Sequence, residues 1–161
     1  MNKFAVIGLG NTLRRDDGVG IIVLESLLKH HKQSNLDYLN YGVTSFDLIN
    51  RVGQYDLVFL LDGINAGLTA GSLKIFELKD IKYNSNNTSA STHELDLTTL
   101  FELYKKFELS TKIYVLGIQV SDISFEEGLS DKLKTQLEQN IKEINSFICD
   151  KIKCVTQSQE K

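Results

Sequence analysis

Four side chains in this 161-residue chain stand where chemistry could be done: Asp16, Asp17, Asp62 and His93. The two adjacent aspartates lie in Gly8-Leu9-Gly10-Asn11-Thr12-Leu13-Arg14-Arg15-Asp16-Asp17-Gly18-Val19-Gly20, directly behind the apolar run Phe4-Ala5-Val6-Ile7. Asp62 ends a second apolar run, Leu57-Val58-Phe59-Leu60-Leu61, and Gly63 follows it. His93 sits in Ser91-Thr92-His93-Glu94-Leu95, between a polar segment and a helical stripe. Carboxylates that share a rim repel each other unless one is protonated or a cation bridges them. Two carboxylates and an imidazole form an oxygen/nitrogen donor set suited to zinc, nickel or manganese, with positions left open for water or substrate. Each residue also has a plainer reading: Asp17 as the cap of a helix, Asp62 as a polar strand end, His93 as a surface side chain. His30 and His31 fall late in the first helical segment, where an imidazole suits both solvent and the helix dipole.

A strand opening through Gly-x-Gly into a helix also invites a dinucleotide reading. That fingerprint needs a third glycine three residues after the second, and Leu13 stands there. The end of the second strand offers Asn40 rather than an acid for a ribose, and no Gly-x-x-x-x-Gly-Lys-Ser/Thr occurs. Two acids at the helix start would repel a pyrophosphate. The turn therefore reads as a cation site, with a non-enzymatic metal- or nucleotide-binding α/β protein as the alternative.

These residues need a scaffold, and the chain supplies one. Strand-like and helix-like segments alternate, which indicates an α/β sheet with crossover helices. Strands are expected near 4–8, 36–41, 57–61, 71–78 and 112–119, and helices over about 19–31 and 46–52. Leu97, Leu100, Phe101, Tyr104 and Phe107 trace a further helical stripe; Leu133, Leu137, Ile141, Ile144 and Ile148 trace a long last helix, with Ser130 as its cap. The polar stretch Lys79 to Ser91 reads as a long loop. In open parallel sheets ligands bind outside the carboxyl ends of the strands at a topological switch point, so the loops after the first and third strands would share a rim. Residues 1–150 read as one α/β domain and 151–161 as a polar, fraying tail.

Composition narrows the class. A chain of this length can bury roughly 70% of its unfolded surface. A net charge of -3 and no basic patch argue against nucleic acid. The longest apolar stretches are too short to span a bilayer, and no signal-like segment opens the chain, so a cytoplasmic protein is expected. The two cysteines, Cys149 and Cys154, make neither a disulfide framework nor a zinc site and read as free thiols.

The quoted motifs resemble the hydrogenase maturation endopeptidases. That family's opening signature, Gly-x-Gly-Asn-x-Leu-x-x-Asp-Asp/Glu-x-x-Gly, matches Gly8, Gly10, Asn11, Leu13, Asp16, Asp17 and Gly20. Its apolar strand ending in Asp-Ala/Gly matches Leu57 through Gly63, and its Ser/Thr-rich segment with His matches Ser91 to Leu95. Leu116-Gly117-Ile118-Gln119 and Gly128-Leu129-Ser130 follow in the family's order. The resemblance implies a three-layer sandwich: a twisted, mostly parallel five-stranded sheet with helices on both faces. It implies an endopeptidase that trims the C-terminal extension from the large-subunit precursor of a nickel–iron hydrogenase. The metal-binding residues it implies are Asp17, Asp62 and His93, engaging nickel carried by the precursor. Two segments depart from the family pattern, Asn40 to Ser45 and Val120, where the family has Asp-Gly-Gly-Thr-x-Gly and proline. Both bear on which precursor is recognised.

Overall fold

The computed structural model describes residues 2–43, 47–81 and 97–157. Its elements run β1 (Phe4–Leu9), a short 3-10 turn (Arg15–Gly18), α1 (Val19–His30), β2 (Leu36–Gly42), α2 (Asp47–Val52) and β3 (Leu57–Ile64). Then come β4 (Leu73–Glu77), a second 3-10 turn (Leu78–Asp80), α3 (Leu97–Lys106), β5 (Lys112–Gln119) and α4 (Asp131–Gln157). The strands form one sheet in the order β2-β1-β3-β5-β4. β1 pairs in parallel with β2 and β3, and β3 with β5, whereas β4 is antiparallel to β5. The reversal of β4 follows from its connection: residues 65–72 are too few for the crossover that a parallel return requires.

Strand alternation sorts the core into two layers. Phe4, Val6, Phe59, Leu61, Leu116 and Ile118 point toward α1 and α4, where they meet Val23, Leu27, Leu133, Ile144 and Ile148. Ala5, Ile7, Leu9, Val58, Leu60 and Val115 point the other way, onto Leu48 and Val52 of α2 and Leu97 and Leu100 of α3. This is the expected three-layer sandwich. β1 and β3 are buried along their whole length, as parallel strands covered on both faces must be.

Two boundaries differ from the sequence expectation. β3 does not stop at Leu61 but continues through Asp62 and Gly63 to Ile64, because β5 supplies the partners Gly117, Ile118 and Gln119. The final helix does not fray at Lys151. It runs to Gln157, burying Ile152 in the core with Val155 packed against the same cluster. The polar residues between them form the exposed face of an ordered helix, so no tail begins at 151.

Candidate functional site

The sheet order places its switch point between β1 and β3, since the chain steps from β1 outward to β2 and then back across to β3. The crevice outside the carboxyl ends of these strands is where such sheets hold ligands. Asp17 lies in the 3-10 turn that follows β1, and Asp62 lies in the last turn of the β3 ladder beside Gly117. Both are buried, at 1% exposure each. Alternation turns Asp62 to the same face as Val58, Leu60 and Ile64, the face covered by α2 and α3. Both acids also hold contacts within the fold, so neither is a stray surface charge.

Close packing drives the 3-10 turn and α1 into the notch between the two strand ends. At Gly20 a Cβ would stand 2.3 Å from the carbonyl oxygens of both Leu61 and Leu9. Only glycine lets α1 begin there. Gly10 turns the chain out of β1 with φ of +137°, a conformation closed to side chains, and its N–H bonds the Gly42 carbonyl at the end of β2. A Cβ at Gly63 would lie 3.2 Å from the Asp16 carbonyl oxygen, so the turn rests on β3 immediately after Asp62.

The carboxylate of Asp17 accepts the Asn11 N–H at 3.2 Å. That bond answers two sequence questions. The N-cap position of α1 is Gly18, so Asp17 is not the helix cap. A backbone N–H that would face a phosphate in a nucleotide loop is instead turned onto a protein carboxylate.

Asp16 has a different task from its neighbour. Fully buried, it accepts the N–H groups of Ser121, Asp122 and Ser130 at 2.9, 2.8 and 2.7 Å, and the Ser130 hydroxyl at 2.9 Å. Ser130 therefore spends its side chain on Asp16 rather than on capping α4, although its carbonyl accepts the Leu133 and Lys134 N–H groups. Arg15 reinforces the link. Its guanidinium donates to Asp122 at 2.7 Å and lies 3.5 Å from Glu126, while its N–H bonds the Glu126 carbonyl. The Ser124 N–H, with the Arg15 guanidinium after it, holds the Asp122 carboxyl down at about 2; Asp122 in turn raises the pKa of Arg15. Arg15 makes these contacts with φ of +42°, a costly backbone for a long side chain.

Gln119 serves the other acid-bearing segment. Buried at the end of β5, it accepts the Ala66 and Leu68 N–H groups at 2.8 and 3.1 Å and donates to Asn65 and to the Val120 carbonyl. It thereby fixes the chain just after Asp62. The sequence reading passed over the anchoring roles of Asp16, Arg15 and Gln119. The available signal was a polar residue closing the apolar run Ile113 to Ile118.

His93 lies outside the described residues. Among those described, no group of three or more His, Cys, Asp or Glu side chains is gathered where it could hold a metal ion. Of the three residues expected to bind metal, Asp17 and Asp62 are the two among the described residues, in the turn after β1 and near the end of β3. Cys149 and Cys154 lie on α4 and neither is in a disulfide; His30 and His31 stand at the end of α1. No helix of the described residues is long and apolar enough to cross a membrane.

Comparison with known proteins agrees with this architecture. The family model for hydrogenase maturation protease (HycI) matches residues 21–147. A putative hydrogenase maturation protease of Methanocaldococcus jannaschii is 32% identical over 158 residues, covering 88% of this chain and 90% of the relative. The hydrogenase maturating endopeptidase HybD from E. coli superposes with a TM-score of 0.79 at 18% identity, over 92% of this chain and 93% of that one. The [NiFe] hydrogenase maturation protease HycI from Thermococcus kodakarensis gives a TM-score of 0.72 at 26% identity, over 90% and 91%. With the match covering most of the chain and the acids at the switch point of the same fold, this protein belongs to the hydrogenase maturation protease family.

Proposed function

We propose that this hydrolase removes the C-terminal extension of a nickel–iron hydrogenase large-subunit precursor after nickel has been inserted. The observation that carries the reading is the pair of buried aspartates, Asp17 and Asp62, at the carboxyl ends of neighbouring strands β1 and β3. The precursor's C-terminal region enters this crevice, and the nickel it carries is recognised by the two carboxylates together with His93. Nickel is cargo of the substrate here, and mixed carboxylate and imidazole donors suit it.

Hydrolysis then needs a water brought against one peptide carbonyl. A carboxylate within reach takes a proton from that water as its oxygen bonds the carbonyl carbon, and the C–N bond breaks as the departing nitrogen gains a proton. Bound nickel would add polarisation of the carbonyl. Asp17 and Asp62 are the candidates for the base, held in place by Asn11 and by the β3–β5 ladder. Two cysteines, too few for a disulfide framework, support action in a reducing compartment such as the cytoplasm.

The test is co-expression with a candidate precursor, with and without nickel. The parent protein should release the C-terminal peptide only with nickel, read as a mobility shift and by mass. Asp17→Ala, Asp62→Ala and His93→Ala should each lower cleavage by about 100-fold or more, the usual scale for a missing acid–base group. Cleavage without nickel would remove the recognition role, and full cleavage by any one variant would remove that residue from the site.

A further inference from the structure

The loop after β5, residues 120–130, is tied down at both ends and presents a bare aromatic side chain. Asp16 gathers the N–H groups of Ser121, Asp122 and Ser130 onto one carboxylate, closing the base of the loop. The Arg15 and Asp16 N–H groups bond the Glu126 and Asp122 carbonyls at 2.8 and 3.0 Å, and the Arg15 guanidinium holds Asp122. Inside the loop the Ser124 N–H donates to Asp122, and the Glu126 N–H to the Ser124 carbonyl. Phe125 sits at the centre of this bonded framework and is 80% exposed. A phenylalanine on a fixed backbone cannot find cover by loop collapse, so its apolar surface stays turned to water.

Its location gives that exposure a use. The residues that grip the loop, Arg15 and Asp16, immediately precede Asp17, so Phe125 stands on the rim that carries the candidate acids. The other rim loops expose Leu13, Val43 and Leu68, and the backbones of Leu13 and Leu68 are pinned in turn by Asn11 and Gln119. Away from this rim, the large apolar side chains exposed among the described residues are Leu28 on α1 and Phe107, which follows α3 before β5 begins.

We propose that Phe125 is a specificity-determining residue: it receives an apolar side chain of the precursor polypeptide beside the scissile bond, on a loop that Arg15 and Asp16 hold in register with Asp17. This rests on the proteolytic reading of the same crevice. The occupant is a polypeptide because it must run continuously from the loop to the two acids.

The experiment measures initial cleavage rates of purified nickel-loaded precursor over a range of concentrations. Phe125→Ser should raise KM about tenfold or more with kcat unchanged, the scale set by burying a phenylalanine ring. Phe125→Leu should largely restore the parent KM. Phe107→Ser, an exposed aromatic of the opposite end, should leave both constants as they are. An unchanged KM in Phe125→Ser, or an equal rise in Phe107→Ser, overturns the proposal while leaving the protease reading intact. Should the parent protein cleave no precursor, the protease reading fails. Binding of the same proteins to immobilised precursor then decides the loop: weaker binding by Phe125→Ser alone supports it, and equal binding overturns it.

Discussion

Gly20→Ala tests how the site is built. A Cβ at this position meets the Leu61 and Leu9 carbonyl oxygens, each at 2.3 Å. Both belong to central strands paired on two sides, so neither can rotate away as a side chain would. Helix propensity favours alanine over glycine by about 1 kcal/mol. Overpacking costs about 1–3 kcal/mol, and here two backbone contacts must be relieved together, which puts the cost at or above the top of that range. The clash outweighs the propensity, leaving a net loss of about 2 kcal/mol. Urea unfolding followed by circular dichroism should show the midpoint falling by about 1 M with an unchanged slope. Gly8→Ala supplies the comparison: its Cβ would lie 3.0 Å from Leu24 side-chain atoms and 3.1 Å from the Gly20 carbonyl oxygen, wider than the contacts at Gly20, so the loss should be smaller. Relief at Gly20 lifts α1 from the strand ends and carries Asp17 with it, so precursor cleavage should fall beyond what the unfolded fraction explains. A Gly20→Ala protein as stable as the parent would refute the close-approach argument.

Asp16→Ala strips four donors of their acceptor and should cost about 3 kcal/mol, with amide exchange at Ser121, Asp122 and Ser130 accelerating most. Unchanged exchange at these amides would show that the loop is held by other means. Glu77, at the end of β4, accepts ion pairs from Lys79 at 2.6 Å and Lys112 at 3.1 Å, and the Lys79 bond foremost holds its pKa at about 2 against an ordinary 4.5. A depressed carboxylate contributes stability above its ordinary pKa, and that contribution disappears as pH falls from about 4.5 to about 2. Glu77→Gln should therefore lose about 1 kcal/mol at pH 7, discounted for the half-exposed lysines, and flatten this part of the acid limb. An acid limb identical to the parent's would show that the pair carries no net energy.

The sheet was readable because its central strands announce themselves: Leu57 to Leu61 is apolar at every position, as burial on both faces demands. Gly20 was readable for a related reason, since a glycine in the first turn of an apolar helix signals close approach. Less legible was anything that depended on a distant partner. β3 extends through Asp62 because β5 continues beside it, and no local pattern contains that pairing. α4 continues past Lys151 because Ile152 falls one turn after Ile148, a spacing obscured by the lysines and Cys149 around it. Asp16 and Asp17 looked like one acidic pair. The structure separates them by what they touch: partners more than a hundred residues away for Asp16, and the Asn11 N–H in its own turn for Asp17. The third expected member, His93, lies outside the described residues, so its meeting with the two acids rests on the cleavage experiment.

The grip of Asp16 on Ser121, Asp122 and Ser130 also has a consequence during synthesis. A nascent chain leaving the ribosome carries both acids of the crevice after little more than a third of its length has emerged. The residues that fix the turn bearing Asp17, and the Gln119 that fixes the segment after Asp62, emerge only in the last third. Domains fold as units during synthesis. Hydrolytic competence is thus expected only of a chain that has reached these residues: a product terminated before them carries both candidate acids but lacks the anchors that tie down the Asp16 turn and the segment after Asp62.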